Sequence, residues 1–265
     1  MDPESPQKVD IHEAHKMSIW AHVEELRNTV LKMAMCVSVT MLLSFIFRGK
    51  IASFVQAPLI AVDPSRLENL QSLGVADSMT ISLKLSFYAG LVLAFPALVY
   101  LAARFCLPAL LPKERISLLV ASLTGFVLFL LGSTFSFFIV LPLALDFFFR
   151  DAQMMQWNPS WTVGEYYSFT TQMVIAFGIS FELPVLVLTL VWLGLLTPAQ
   201  MKKTRPHAVV AIFATSALIT PTTDIFTLGL MAIPLLALYE SCIWLSAWMF
   251  KTPSVSTHLE EASRI

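Results

Sequence analysis

Charge is scarce in this sequence. Only 13% of its 265 residues are Asp, Glu, Lys or Arg, against 57% that are apolar, and the mean hydropathy is +0.73. A soluble domain carries about 25% charged residues and about 45–50% apolar ones. An apolar surplus of this size exceeds what one globular core can bury, and long uncharged runs point to a bilayer. Cysteine is nearly as rare. Cys36, Cys106 and Cys242 are odd in number and lie in or beside apolar runs, which argues for packing residues over a disulfide or metal framework. Neither G-x-x-x-x-G-K-[ST] nor G-x-S-x-G occurs, no catalytic cluster stands out, and the chain does not read as an enzyme. HEAH, His12 to His15, is one residue short of the H-E-x-x-H spacing and lies in a polar stretch, so neither a metal nor another cofactor is expected. MDPESPQKVDIHEAHKMS lacks an apolar core and a small-residue cleavage site. It does not read as a cleaved signal peptide, and the first span is expected to direct insertion. No internal repeat is evident.

What is present is a series of apolar runs. Six read as spans, at about 28–47, 79–101, 117–148, 166–196, 207–220 and 225–250. The first four reach the roughly 20 residues that cross about 30 Å of hydrocarbon. Pro206 and Pro221 bracket the fifth, His207 to Thr220, leaving about 21 Å of helix, too short for an unperturbed bilayer. The sixth also reads as short, with Glu240 at the interface and Trp244, Trp248 and Lys251 as an anchoring belt. The expected architecture is an all-α integral membrane domain over 18–250, flanked by polar tails at 1–17 and 251–265.

Of the 17 Lys and Arg residues, 12 fall on one side of these spans and 5 on the other. The positive-inside rule therefore puts both termini in the cytoplasm. The first outside loop, Arg48 to Ser78, reads as a turn plus a short amphipathic helix, and Trp157 and Trp161 in the second as interfacial anchors. Pro96, Pro142, Pro184 and Pro234 recur inside the spans. Each removes a backbone donor and bends its helix, so a curved body is expected instead of a straight bundle.

Two acids stand among the cytoplasmic cations: Glu25 in HVEELR and Glu114 in LPKERI. Two readings apply. One is local charge balance with Arg27, and with Lys113 and Arg115. The other is a cation site at the membrane surface, because a carboxylate accepts two parallel hydrogen bonds from a guanidinium. Phosphate or nucleic acid would want the opposite charge, so no nucleic-acid partner is expected. Lys84 and Asp146 lie close enough to span ends to reach water. Glu182, in FGISFELPVL, does not. A carboxylate at mid-helix costs about 2.5–3.5 kcal/mol on insertion scales. Pro184 cannot bond the Ser180 carbonyl, so the pair makes a polar notch at mid-membrane.

The chain resembles the TatC family, the multi-spanning receptor subunit of the twin-arginine protein translocase, over about Ser18 to Phe250. HVEELR, APLI at Ala57 to Ile60, LKLSF around Lys84, RFCLPALLPKER, FGISFELP and ITPTTDIFTLGLMAIPLLALYE carry the resemblance. It implies a six-helix, cup-shaped bundle in the bacterial inner membrane. It implies binding of the twin-arginine motif of signal peptides on folded cargo, and assembly with TatA and TatB partners in multiple copies, driven by the proton-motive force. By the same resemblance Glu25 and Glu114 bind the two arginines, with Phe105 beside them and Arg27 and Arg115 in support. Glu182 and Pro184 are the family's notch, and Thr220, Pro221 and Asp224 contact a partner helix. Pro58 and Lys84 have structural roles. The sequence departs from the family at TPTTD and at Leu228, where Thr227 is the candidate substitute for a missing polar residue. The competing reading is a small-molecule or ion secondary transporter with Glu182 as its mid-membrane site.

Overall fold

The computed structural model describes residues 19–62, 70–106, 115–157, 159–192, 196–220, 222 and 224–249. Both polar tails, Glu114 and Pro221 lie outside these residues. Five segments are long and apolar enough to cross a membrane: Val23–Ile46, Asp77–Phe105, Ser122–Met154, Val163–Val191 and Ile225–Trp248. A sixth apolar helix, Arg205–Ile219, is shorter. Among the described residues the only β pairing is one parallel bridge, Gln71 to Thr162.

The first helix, α1 (Ile19–Ile46), starts earlier than its hydropathy suggests, so Glu25 and Arg27 lie on it instead of ahead of it. Two short helices follow, α2 (Arg48–Val55) and α3 (Ala57–Val62). The segment after α1 thus opens with helix from Arg48 onward, where a turn was expected. Next comes α4 (Asp77–Cys106), which carries Pro96 without interruption. Gly90 brings α4 against α1: a Cβ there would lie 2.6 Å from the Met41 backbone nitrogen. Lipid tails are as apolar as the side chains, so van der Waals packing through small residues drives this contact in place of hydrophobic burial.

The third span bends where a proline disturbs it. α5 (Arg115–Phe135) passes through a π-helical segment, Ser136–Val140, into α6 (Leu141–Met154), with Pro142 in the first turn of α6. The wider turn relieves the clash of the ring with the preceding helix. In the fourth span, α7 (Val163–Ser180) and α8 (Leu183–Trp192) are separated by a turn at Phe181 and Glu182, just before Pro184. The Glu182 amide bonds Ile179 O at 3.0 Å, an i to i−3 contact that ends the α pattern. Thr162 and Glu165 close a capping box at the start of α7, a device worth about 1 kcal/mol.

A connector, α9 (Pro198–Lys203), leads into α10 (Arg205–Ile219) and α11 (Ile225–Met249). The 15 residues of α10 give about 22 Å, short as expected. α11 corrects the expectation of a short sixth helix: its 25 residues, with Pro234 inside, give about 37 Å. Apolar packing continues through Ile243 to Ser246, so the helix has no reason to stop at Glu240.

Three clusters hold the helices together. The central one joins Phe137, Val140 and Leu141 to Met173 and Phe177 of α7, Ile212 of α10 and Met231 of α11. The second ties the loop helices down: Val55 and Leu59 pack on Leu85, Leu145, Tyr166 and Tyr167. Tyr166 donates to Val55 O at 2.7 Å, and Gln56 donates to the Tyr167 hydroxyl at 2.8 Å. Trp161 is packed against this cluster, whereas Trp157 is exposed. The third cluster sets Cys242 and Ile243 of α11 against Val187, Val191 and Met201, so Cys242 is a packing residue.

Candidate functional site

The antiparallel pairing of α1 and α4 decides what lies beside Glu25. With Met41 against Gly90, Glu25 is 16 residues back along α1 and Phe105 is 15 residues forward along α4. These separations are about 24 and 22 Å, so the two residues are at one level. Glu25 is half-buried, and its Oε2 is buried without a hydrogen-bond partner. Arg27 does not neutralise it: Arg27 Nη2 lies 3.6 Å from Glu24 Oε1, with both side chains about two-thirds exposed. Such a surface pair contributes about 0–1 kcal/mol. Among the described residues, Arg27 therefore balances Glu24 and not Glu25. The backbone of Arg115 opens α5; Glu114 lies outside the described residues, so its approach to Glu25 is not part of this geometry.

Within the fourth span, Glu182 occupies the turn between α7 and α8, and its Oε1 is buried without a hydrogen-bond partner. Gly125 of α5 makes room for the carboxylate: a Cβ at Gly125 would lie 2.8 Å from Glu182 Oε2. Nearby, a Cβ at Gly132 would meet Phe177 O at 2.6 Å, so the α5 and α7 backbones lie directly against each other. Pro184 is half-buried in the first turn of α8. No group of three or more potential metal ligands occurs among the described residues.

The α10–α11 turn is the third place. Thr220 terminates α10 in an extended conformation and is buried. Asp224 caps α11, accepting from the Thr227 amide at 2.8 Å and the Thr227 hydroxyl at 2.5 Å. The Thr222 and Thr227 hydroxyls lie 2.7 Å apart. Burial opposes ionisation of Asp224, but the hydrogen bonds from Thr227 and Thr222 outweigh it and hold the carboxyl below its usual value. Thr227 is fully buried in this network, where sequence reasoning set it as a substitute at Leu228. Pro58 is buried in α3, and Lys84 is exposed on α4. Asp146 and Arg150 pair at 2.8 Å near the end of α6.

Sequence reasoning put Glu240 at an interface and missed its partner. Arg205 Nη2 lies 2.7 Å from Glu240 Oε2. A signal existed: the two opposite charges are at similar distances from the 220–224 turn.

The description "Sec-independent protein translocase protein (TatC)" matches residues 21–234. A TatC protein of Akkermansia muciniphila is 44% identical over 198 residues, 75% of this chain, and the chain spans only 57% of that relative's length. The TatC protein of Escherichia coli K12 is 34% identical over 225 residues, covering 85% of this chain and 86% of the relative. A crystal structure of the twin arginine translocase receptor TatC in DDM superposes with a TM-score of 0.75 at 33% identity, covering 85% of this chain and 99% of that one. The secondary-transporter reading of Glu182 gives way to these matches. The chain belongs to the TatC family of Sec-independent protein translocase proteins, multi-span proteins of the bacterial inner membrane that serve as translocase components and are not an enzyme family.

Proposed function

We propose that this chain recognises the twin-arginine motif of signal peptides on folded cargo and nucleates the complex that exports it, driven by the proton-motive force. The observation that supports this reading is Glu25, half-buried, with an oxygen that accepts no hydrogen bond while Arg27 turns to Glu24. A guanidinium supplies parallel N–H donors to such a carboxylate and brings a charge that compensates its burial. Glu114 binds the second arginine, Phe105 stacks or packs beside the pair, and Arg27 and Arg115 set the surrounding field. The selectivity comes from acids placed among cations that repel most basic peptides.

In this reading the chain crosses the membrane six times, α10 being a short fifth crossing, with both termini in the cytoplasm and the helices forming a cup. The segments 1–17 and 251–265 are cytoplasmic tails around the 18–250 membrane domain. Glu182 and Pro184 face the path of the signal peptide or a partner helix. Thr220, Pro221 and Asp224 meet the single helix of a TatA- or TatB-like partner, with several copies per complex and lipid around them. Pro58 and Lys84 shape the outer loop and second span.

The test is binding of a fluorescent signal peptide carrying Arg-Arg or Lys-Lys to the purified protein. Arg-Arg binding should exceed Lys-Lys binding and fall at least tenfold, about 1.4 kcal/mol, in Glu25→Ala and in Glu114→Ala. Equal binding of both peptides, unchanged by either substitution, would reduce the two carboxylates to charge balance.

A further inference from the structure

Near the α1–α2 junction a cleft of about 740 Å³ opens between α1, α2, α4, the π-helical segment and α7. Its size is within the range of about 300–1,000 Å³ that accommodates one small ligand. Its walls are almost wholly apolar: Leu43, Val55, Leu85, Val92, Phe137 and Ile175 among others. Phe54 of α2 stacks on Phe137 at 4.7 Å between ring centroids, which forms one wall. Phe47, Phe54, Leu93 and Phe138 line the cleft and are each more than half exposed. The cleft therefore opens sideways, through apolar side chains, toward whatever surrounds the helices.

Its polar side chains are few: Ser44 and Lys50 at the α1–α2 end, and Tyr88, Ser133, Thr134, Thr170 and Thr171 on the facing helices. Lys50 lines the cleft, is exposed, and makes no ion pair with a described residue. Arg48, two residues away on α2, is not part of the lining and rests its guanidinium 4.4 Å from the Phe45 ring centroid. No side chain caps the start of α2, and its first turn contains no acid. Ser44 also lines the cleft, is 3% exposed, and its hydroxyl has no hydrogen-bond partner. A buried hydroxyl without a partner is costly unless a ligand supplies an acceptor.

We propose that this cleft holds one acyl chain of an anionic phospholipid. The acyl chain fills the apolar walls, the ester carbonyl accepts from Ser44, and the phosphate sits at Lys50. Lys50 and Ser44 lie at the α1–α2 end of the cleft with apolar wall beyond them, the order in which phosphate, ester and hydrocarbon follow in a lipid. A peptide helix or a neutral apolar molecule would use the walls but leave Lys50 and Ser44 unanswered. This site is separate from Glu25, Glu182 and the α10–α11 turn, and it does not depend on how the signal peptide binds.

The experiment is native mass spectrometry of the protein released from nanodiscs of equal phosphatidylglycerol and phosphatidylcholine. One phosphatidylglycerol should be retained per chain, at least fivefold over phosphatidylcholine. Lys50→Gln should lower that retention at least threefold, Lys50→Arg should preserve it, and Leu93→Trp, which narrows the cleft mouth, should lower retention of both lipids. A phosphatidylglycerol with a photoactivatable acyl chain should label the cleft segments of α4 and the π-helical stretch. Equal retention of the two lipids, indifference to Lys50→Gln, or labelling that avoids these segments would overturn the proposal. So would labelling of the cleft by the apolar part of a signal peptide but not by the lipid. Each variant is compared at matched thermal stability, so loss of retention is not confused with unfolding.

Discussion

Arg205 and Glu240 join the two arms of the last hairpin, Nη2 to Oε2 at 2.7 Å. The pair sits where α10 begins, and α11 runs on for another nine residues to Met249. Those residues carry Cys242, Ile243 and Ser246 against α8 and α9. The pair thus fixes the axial position of a short helix along a long one. Arg205 also has a buried Nε without a partner, so its remaining contact matters more.

Removing one member leaves the other charge uncompensated in a partly apolar setting, whereas removing both does not. Arg205→Ala and Glu240→Ala should each lower the thermal midpoint in detergent. The double substitution should cost less than the sum, with a coupling of about 1 kcal/mol. Strict additivity in the double-mutant cycle would show the pair to be inert.

Gly90→Ala should affect the candidate peptide site from a distance. The added methyl would lie 2.6 and 2.7 Å from Met41 backbone atoms, so α1 must move away from α4 at a cost of about 1–3 kcal/mol. That movement takes Glu25 out of level with Phe105. Signal-peptide affinity should drop several-fold, and a disulfide engineered between α1 and α4 should form more slowly. Wild-type affinity together with wild-type cross-linking would disprove this coupling.

Gly125 and Gly132 offer a contrast on one helix. The neighbour of Gly125 is the end of the Glu182 side chain, while that of Gly132 is the Phe177 backbone carbonyl. Gly125→Ala should leave the protein folded but displace the carboxylate, and should reduce cargo export in the same direction as Glu182→Gln. Gly132→Ala should destabilise the α5–α7 contact, seen as a lower midpoint in a thermal melt. The reverse pattern would mean that Glu182 tolerates displacement and that α5 and α7 do not need their close approach.

Asp224 carries a pH signature. Its carboxyl is held below the ordinary value in the folded protein. Its contribution is therefore present above the unfolded aspartate value of about 3.9 and is lost as the pH falls through the lower, folded one. Asp224→Asn should remove that acid-side slope and keep most of the cap, whereas Asp224→Ala should cost about 1 kcal/mol at neutral pH. Melting curves of the three proteins between pH 3 and 7 decide it; parallel slopes would exclude a role for the charge.

Much of this was legible in the chain. The long apolar helices, the break before Pro184 and the isolation of Glu182 follow from local hydropathy and from a missing backbone donor. The sequence motifs singled out Glu25, and Thr227 was marked as a substitute. The rest was not legible. Residues 225–250 looked like another short span because Glu240 seemed to end it, yet Arg205 receives that charge and α11 continues. Nor did a local pattern show that Trp161 packs with Val55 and Leu59, its carbonyl accepting from the Gln71 amide at 3.1 Å.

Alone, the amino-acid sequence determined that this chain enters a membrane and where its carboxylates fall along the helices. Both are properties of residues within a few turns of one another: hydropathy summed over a window, and a proline acting on the carbonyl four residues before it. Tertiary structure decided which charges are paired. Glu24, not Glu25, takes Arg27, Gly125 faces Glu182, and Gly90 sets the level of Phe105. Those outcomes depend on the rotation and axial offset of helices distant in sequence. Close contacts at a few glycines fix both, and no local pattern encodes them.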